Sequence, residues 1–215
     1  ICSRQKENRI WAESGWNLGL DQIFIEKNYG FLYAEKTHSK KEIDITEQGD
    51  ELYICGKNQE FSYRFSKKSG QFTSVMYKGT EFLEKPCQWN IWRAPIDNDM
   101  YVKQSWKEAG YDLIQHKTYS VEWTVLDKAA VIRVREALGA PGRQKILELD
   151  TVWKIDGDGE VRLHTSVCKT PDFPDLPRFG LRLFLKKDMG KFAYWGKGPS
   201  ESYIDKCRSG WEGWH

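Results

Sequence analysis

Apolar and polar positions alternate with a period of two along most of this chain. Phe61-Ser62-Tyr63-Arg64-Phe65-Ser66 places three aromatic rings on one side and three polar groups on the other, the pattern of a half-buried strand. Lys67-Lys68-Ser69-Gly70 reads as a turn, Gln71 to Tyr77 as the return strand, and Lys78-Gly79 as a second turn into Thr80-Glu81-Phe82-Leu83. The same reading predicts strands over Glu51 to Cys55, Thr118 to Val125, Ala130 to Leu138 and Lys145 to Ile155, with a break at Gly139-Ala140-Pro141-Gly142. Asp156-Gly157-Asp158-Gly159 is a strong hairpin signal between Val152-Trp153-Lys154-Ile155 and Val161-Arg162-Leu163-His164. One short helix is predicted, Lys103 to Ala109, closed by Gly110. No strand alternates with a long helix and no fixed-period repeat occurs, so the pattern predicts an all-β, antiparallel sandwich.

Composition narrows the functional classes. The 215 residues carry 33 Lys and Arg against 31 Asp and Glu, a net charge of +2 with the signs interspersed. That leaves no basic footprint for nucleic acid and reads as a solvated surface. No apolar run approaches the roughly 20 residues of a membrane-spanning helix. The first residues, Ile1-Cys2-Ser3-Arg4-Gln5-Lys6, lack an initiating Met and the apolar stretch of a signal peptide, which predicts a piece of something longer. Ten Trp among 14% aromatic residues can build a core, or can form platforms on which sugar rings stack. The five cysteines, Cys2, Cys55, Cys87, Cys168 and Cys207, form no C-x-x-C pair, so neither a zinc site nor a redox motif is signalled, and their disulfide state stays open.

Several chemistries lack their residues. No G-x-S-x-G elbow accompanies the scattered His38, His116, His164 and His215. In Gly196-Lys197-Gly198-Pro199 the proline removes a backbone donor and no helix follows, so a strand ending in a bend is expected rather than a phosphate cradle. Asp156, Asp158 and Glu160 alternate as in a calcium loop, but the later ligands of that loop are missing and a plain turn is expected. The densest polar cluster is Arg93-Ala94-Pro95-Ile96-Asp97-Asn98-Asp99, behind the aromatic run Trp89-Asn90-Ile91-Trp92. Aromatic faces beside Arg, Asp and Asn suit a sugar site. The same Asx side chains can simply hydrogen-bond their own loop. Asp97 and Asp99 invite an acid/base reading, since glycosidases use two carboxylates, but a loop bonded to its own Asx side chains explains the cluster more simply.

At this cluster the chain resembles a known family. Trp92-Arg93-Ala94-Pro95-Ile96-Asp97-Asn98-Asp99 is similar to the W/F-R-A-P-T/L-D-N-D signature in the C-terminal part of bacterial β-galactosidases of glycoside hydrolase family 2. Trp11-Ala12-Glu13-Ser14-Gly15 resembles the family's W-A-x-x-G segment, and Asp21-Gln22-Ile23-Phe24 the stretch near it. Trp106-Lys107-Glu108-Ala109-Gly110 resembles W-x-x-A-G, and Leu176-Pro177-Arg178-Phe179-Gly180-Leu181 resembles L-P-R-I/V-G-L. The stretch from Trp195 to Asp205 is similar to W-x-G-x-G-P-x-E-N-Y-x-D, with Ser202 in place of the usual Asn.

The resemblance implies a large antiparallel β-supersandwich similar to the galactose mutarotase-like fold, over 46–215 and truncated at its C-terminus. It implies that 1–27 is the terminal strand of a preceding immunoglobulin-like domain, left without partner strands, and that 28–45 is a linker. Its two catalytic glutamates lie in a separate (β/α)8 barrel with motifs found nowhere here, so no catalytic residue is expected in this chain. The implied role is to pack on that barrel and shape a pocket for terminal β-D-galactosides. Arg93, Asp97, Asn98 and Asp99 are the implied pocket loop, with Arg178 and Glu201 as secondary positions. The same resemblance implies Mg2+ and Na+ bound elsewhere in the parent and no metal here, a homo-oligomeric parent, and a cytoplasmic location, with the periplasm also compatible. Two rival functions stay open: an autonomous carbohydrate-binding module needing an exposed aromatic platform, and an epimerase-like enzyme needing an acid and base facing one sugar.

Overall fold

The computed structural model describes residues 1–23, 41–200, 203, 206 and 208–215. It divides into two compact units, one from Ile1–Lys36 with Gly190–His215 and one from Thr37–Met189. The first unit opens with β1 (Cys2–Arg4), which pairs antiparallel with β2 (Asn17–Leu20). The strand expected to lack partners is therefore a two-stranded ribbon, because the chain folds back on itself through Gly15 and an Arg9–Ala12 bridge.

The second unit holds two larger sheets. A five-stranded meander runs β3 (Ile43–Gln48), β4 (Glu51–Gly56), β5 (Phe61–Ser66), β6 (Gln71–Tyr77), β7 (Thr80–Glu81), each paired with the next. β3 opens inside the segment expected to be linker. After β8 (Leu83–Asn90) and the helix α1 (Lys103–Glu108) comes a four-stranded antiparallel sheet. Its strands are β9 (Gln115–Leu126), β10 (Ala129–Gly139), β11 (Lys145–Ile155) and β12 (Val161–Lys169), in the order β12-β11-β10-β9. β13 (Gly180–Leu185) returns to pair with β8. Nearly all pairing is between chain neighbours, as short turns dictate. The all-β antiparallel sandwich read from the sequence is the fold observed.

Alternation decides what these strands bury. Phe61, Tyr63 and Phe65 of β5 are buried while Ser62 and Arg64 are exposed. They pack with Leu52 and Ile54 of β4, Phe72 of β6, Ile132 and Val134 of β10, and Trp153 and Ile155 of β11. Phe72 meets Phe65 at 5.1 Å and Trp153 at 5.0 Å, both edge to face, the arrangement that ring quadrupoles favour. Each such side chain contributes about 1.5–3 kcal/mol on burial, so this cluster holds the sheets together. The Asp156 hairpin joins β11 to β12 as a plain turn: Asp156 Oδ1 accepts the N–H of Asp158 and of Glu160, both at 3.0 Å.

A second cluster lies around β8. Trp89, Ile91, Trp106, Tyr111, Leu138, Ile146, Leu147 and Leu149 are buried together, and Phe179 stacks on Trp89 at 5.2 Å. This cluster is the floor beneath the polar loop that follows β8.

The first unit closes with β14 (Trp195–Gly198) and β15 (Trp211–Trp214), paired antiparallel with Trp195 opposite Trp214. No helix among the described residues is long and apolar enough to cross a membrane.

Candidate functional site

The loop from Ile91 to Val102 is irregular in backbone but densely bonded. β8 ends where the Asn90 side chain takes over the ladder's role, donating from Nδ2 to the Trp92 carbonyl at 2.8 Å and accepting the Trp92 N–H at 3.3 Å. Pro95 cannot donate and prevents the strand from resuming. A single 3-10 turn over Asp97–Asp99 then leads toward α1.

Arg93 anchors this loop. Its guanidinium grips Asp99 in a fork, Nη1 to Oδ2 at 2.5 Å and Nη2 to Oδ1 at 2.8 Å. Its Nε donates to the carbonyl of Pro177 at 3.1 Å, and its Cζ lies 5.3 Å from the centroid of the Trp106 ring. Asp99 also accepts the Ile96 N–H at 2.8 Å, which closes the loop on itself. The carboxylate is buried, and the Arg93 guanidinium holds its pKa below the usual range, aided by the Ile96 N–H against an opposing effect of burial. Parallel N–H···O bonds of this kind fix orientation as well as adding energy.

The segment before β13 is held by the same side of the structure. Its Pro-rich stretch, Pro171 to Pro177, cannot join a ladder, so its carbonyls need other donors. The Trp106 indole donates to Asp175 at 2.9 Å, the Tyr111 hydroxyl to Pro174 at 2.6 Å and Lys169 Nζ to Phe173 at 2.5 Å. With the Arg93–Pro177 bond, four donors clamp one stretch of backbone. Burial pushes the Tyr111 phenol up to about 12, consistent with a hydroxyl that serves only as a donor here.

The six positions singled out from the sequence therefore separate. Arg93 and Asp99 face each other and the backbone. Asp97 and Asn98 are exposed on the turn between them, flanked by exposed Ile96, Met100 and Tyr101. Arg178 is exposed beside the buried Pro177, on the clamped segment. Glu201 lies outside the described residues. Asp97 and Asp99 differ in environment, one solvated and one paired with a cation, and the two do not form an acid/base couple. No cluster of three or more His, Cys, Asp or Glu side chains among the described residues is placed to hold a metal ion.

One polar group escaped the sequence reading. Glu136 is 1% exposed in the middle of β10. Its Oε1 accepts the Trp89 indole N–H at 2.6 Å and the Thr151 hydroxyl at 3.1 Å, and its Oε2 pairs with His116 Nε2. A charged residue at an inward position of a strand otherwise written Ala-Val-Ile-Arg-Val is the signal that could have found it. The network joins β8, β9, β10 and β11 through side chains that bond one another, which makes it a structural polar hub.

Comparison with known proteins places these features. The family described as "Beta galactosidase small chain" matches residues 57–215, a span that includes the Arg93 loop, the clamped proline segment and β14–β15. The chain belongs to this family. The β-galactosidase of Actinobacillus pleuropneumoniae is 32% identical over 194 residues, covering 90% of this chain and 19% of that protein. That of Lactobacillus delbrueckii subsp. bulgaricus is 29% identical over 224 residues, 99% of this chain and 20% of the relative. That of Priestia megaterium is 27% identical over 212 residues, 96% and 19%. The small-chain family member described here spans about a fifth of the length of the curated relatives it matches.

Proposed function

We propose that this chain is a non-catalytic region of a longer retaining β-galactosidase of glycoside hydrolase family 2, packing on the catalytic barrel and shaping its sugar pocket. The observation that carries the reading is the Arg93–Asp99 fork. It freezes a loop whose remaining polar side chains, Asp97 and Asn98, are exposed where they can meet a ligand or a neighbouring domain. A loop pinned at Asp99, Ile96 and Pro177 loses little freedom on contact, so its groups act by positioning rather than by chemistry. Arg178, on the segment held by the same Arg93, belongs to this surface as a secondary contact. Family membership supports the substrate class, a terminal β-D-galactoside, and the share of its relatives covered supports further domains in the same polypeptide.

The test is kinetic and uses the longer enzyme. Asp97→Ala with Asn98→Ala raises KM for an aryl β-galactoside about two- to tenfold, the worth of one or two lost hydrogen bonds, with the thermal midpoint unchanged. Unchanged KM and kcat in the folded variant would refute the assignment of this loop to the pocket.

A further inference from the structure

The β14–β15 ribbon has two unlike faces. In its register Trp195 lies opposite Trp214, Gly196 opposite Gly213, Lys197 opposite Glu212 and Gly198 opposite Trp211. Side chains alternate across a strand pair, so Trp195, Trp214, Lys197 and Glu212 share one face, and all four are exposed. The other face is already filled. Tyr194 and Trp211 pack on His215 at 5.3 and 5.5 Å, and a Cβ on Gly198 would collide with Tyr194 and His215. Packing of the ribbon thus accounts for Gly198 and for Trp211, and leaves Trp195 and Trp214 exposed among the described residues.

Those two indoles stand 57% and 71% exposed, 5.9 Å apart at 73°, so they make a corner: one ring is a floor and the other a wall. One rung along, about 6.6 Å by strand geometry, come the ammonium of Lys197 and the carboxylate of Glu212. These two residues also line a recess of about 410 Å³, with Asp21, Gln22, Arg208 and Trp211 among its other walls. Its volume is that of a small-molecule site. The recess is braced rather than loose, because the Gln22 amide donates to the Glu212 carbonyl at 2.9 Å and accepts the Glu212 N–H at 2.8 Å.

We infer that the Trp195–Trp214 corner and the adjoining recess form a binding site for a neutral hexopyranoside. The apolar C–H face of a pyranose suits an indole floor, and its ring edge suits an indole wall. Its hydroxyls donate and accept, and the recess offers both partners: Lys197 and Arg208 as donors, Asp21 and Glu212 as acceptors. Two cationic and two anionic side chains balance, so the site favours a polyol over an anion or a cation. The inference is independent of the Asp97–Asn98 loop: its residues, its test and its failure are separate.

The experiment titrates the 215-residue chain with methyl β-D-galactopyranoside while following the indole N–H resonances by NMR. The expected result is a saturable shift of the Trp195 and Trp214 resonances with a millimolar dissociation constant. Trp195→Ala and Trp214→Ala each weaken binding about tenfold or more. Trp16→Ala, which removes an indole 61% exposed outside the corner, leaves it unchanged. Should either ring variant fail to fold, Lys197→Met and Glu212→Gln, at exposed positions of the recess, are read in its place and weaken binding in the same direction. Absence of a saturable shift well above millimolar sugar overturns the inference. So does binding that survives loss of both rings, or concentration-dependent self-association through the corner that sugar does not relieve.

Discussion

Replacing Arg93 with alanine removes the forked pair with Asp99 together with the bonds to the Pro177 and Ala94 carbonyls. Asp99 loses its forked partner but keeps the Ile96 N–H, and the Pro177 carbonyl loses its donor. Hydrogen bonds to charged groups are worth about 1.5–3 kcal/mol net, and removing one partner of a fully buried ion pair costs about 3–5 kcal/mol. Here the side chains remain 15% and 9% exposed, and the surviving N–H offsets part of the lost pairing, which places the penalty at the lower edge, about 3 kcal/mol. For a chain of this size that corresponds to a fall in thermal midpoint of about 6–12 °C. Asp99→Asn costs about 2 kcal/mol, because an amide oxygen can still accept the Ile96 N–H. The double variant Arg93→Ala/Asp99→Asn costs about 3 kcal/mol, less than the sum of the singles, since the two changes remove the same interaction. The sign with pH is also fixed. Asp99 has a folded pKa below its unfolded value, so the pair stabilises fully above the unfolded value of about 3.9, and the Arg93→Ala penalty shrinks as pH falls through the folded one. Urea unfolding of the four proteins at neutral pH and in acid measures all of this. Single-variant penalties below about 1 kcal/mol, or additivity within about 0.5 kcal/mol, would refute the claim that this pair holds the loop.

Three further outcomes follow from the geometry. Glu136→Ala strands the Trp89 indole, the Thr151 hydroxyl and the His116 ring, and costs about 3 kcal/mol or more in urea unfolding, whereas Glu136→Gln costs markedly less; equal penalties would contradict the hub. Gly110 has φ +76° and a Cβ there would sit 2.6 Å from the Ala140 Cβ, so Gly110→Ala lowers stability by about 2 kcal/mol or more, read as a fall in thermal midpoint. Tyr63 and Tyr111 are both pushed up to about 12 by burial. Their contribution to stability is complete below the ordinary phenol value near 10 and is lost as pH rises toward 12, so ultraviolet titration shows two protons retained until the chain unfolds; simultaneous ionisation of all tyrosines in a still-folded chain would count against it.

How much of this was legible depends on what each segment had to bury. Phe61 to Ser66 packs one face on a core and leaves the other wet, so its alternation reproduces the observed strand with no error at either end. Alternation alone predicts β9 over Thr118 to Val125, but the strand spans Gln115–Leu126, because Gln115, His116 and Lys117 lie in register with Gly139, Leu138 and Ala137 of β10 despite their polarity. Pairing with a neighbour, which sequence alone does not display, carried them into the ladder. β12 likewise runs five residues beyond His164, to Lys169, because its partner β11 supplies backbone bonds along its whole length.

The site was half legible for a related reason. The cluster Arg93 to Asp99 stood out by composition, and its internal hydrogen bonding was foreseeable from Asx chemistry. What composition could not rank was the division of labour. Arg93 and Asp99 turn inward on each other because Trp106 and the Pro177 carbonyl supply a lined seat for the guanidinium, whereas nothing comparable lies beneath Asp97. The Pro177 part of that seat lies 84 positions downstream of Arg93, beyond the reach of any local pattern. Glu136 was missed for the opposite reason: its three donors come from three other strands, and in the sequence it is one charge in a mixed stretch.

The proposal that this chain shapes a sugar pocket without performing the hydrolysis is tested most directly by turnover of an aryl β-D-galactoside by the purified 215-residue chain. No hydrolysis above the buffer rate is expected at any pH. Turnover that co-purifies with the chain and disappears on replacing Asp97 or Glu136 would contradict it and place a catalytic centre within these residues.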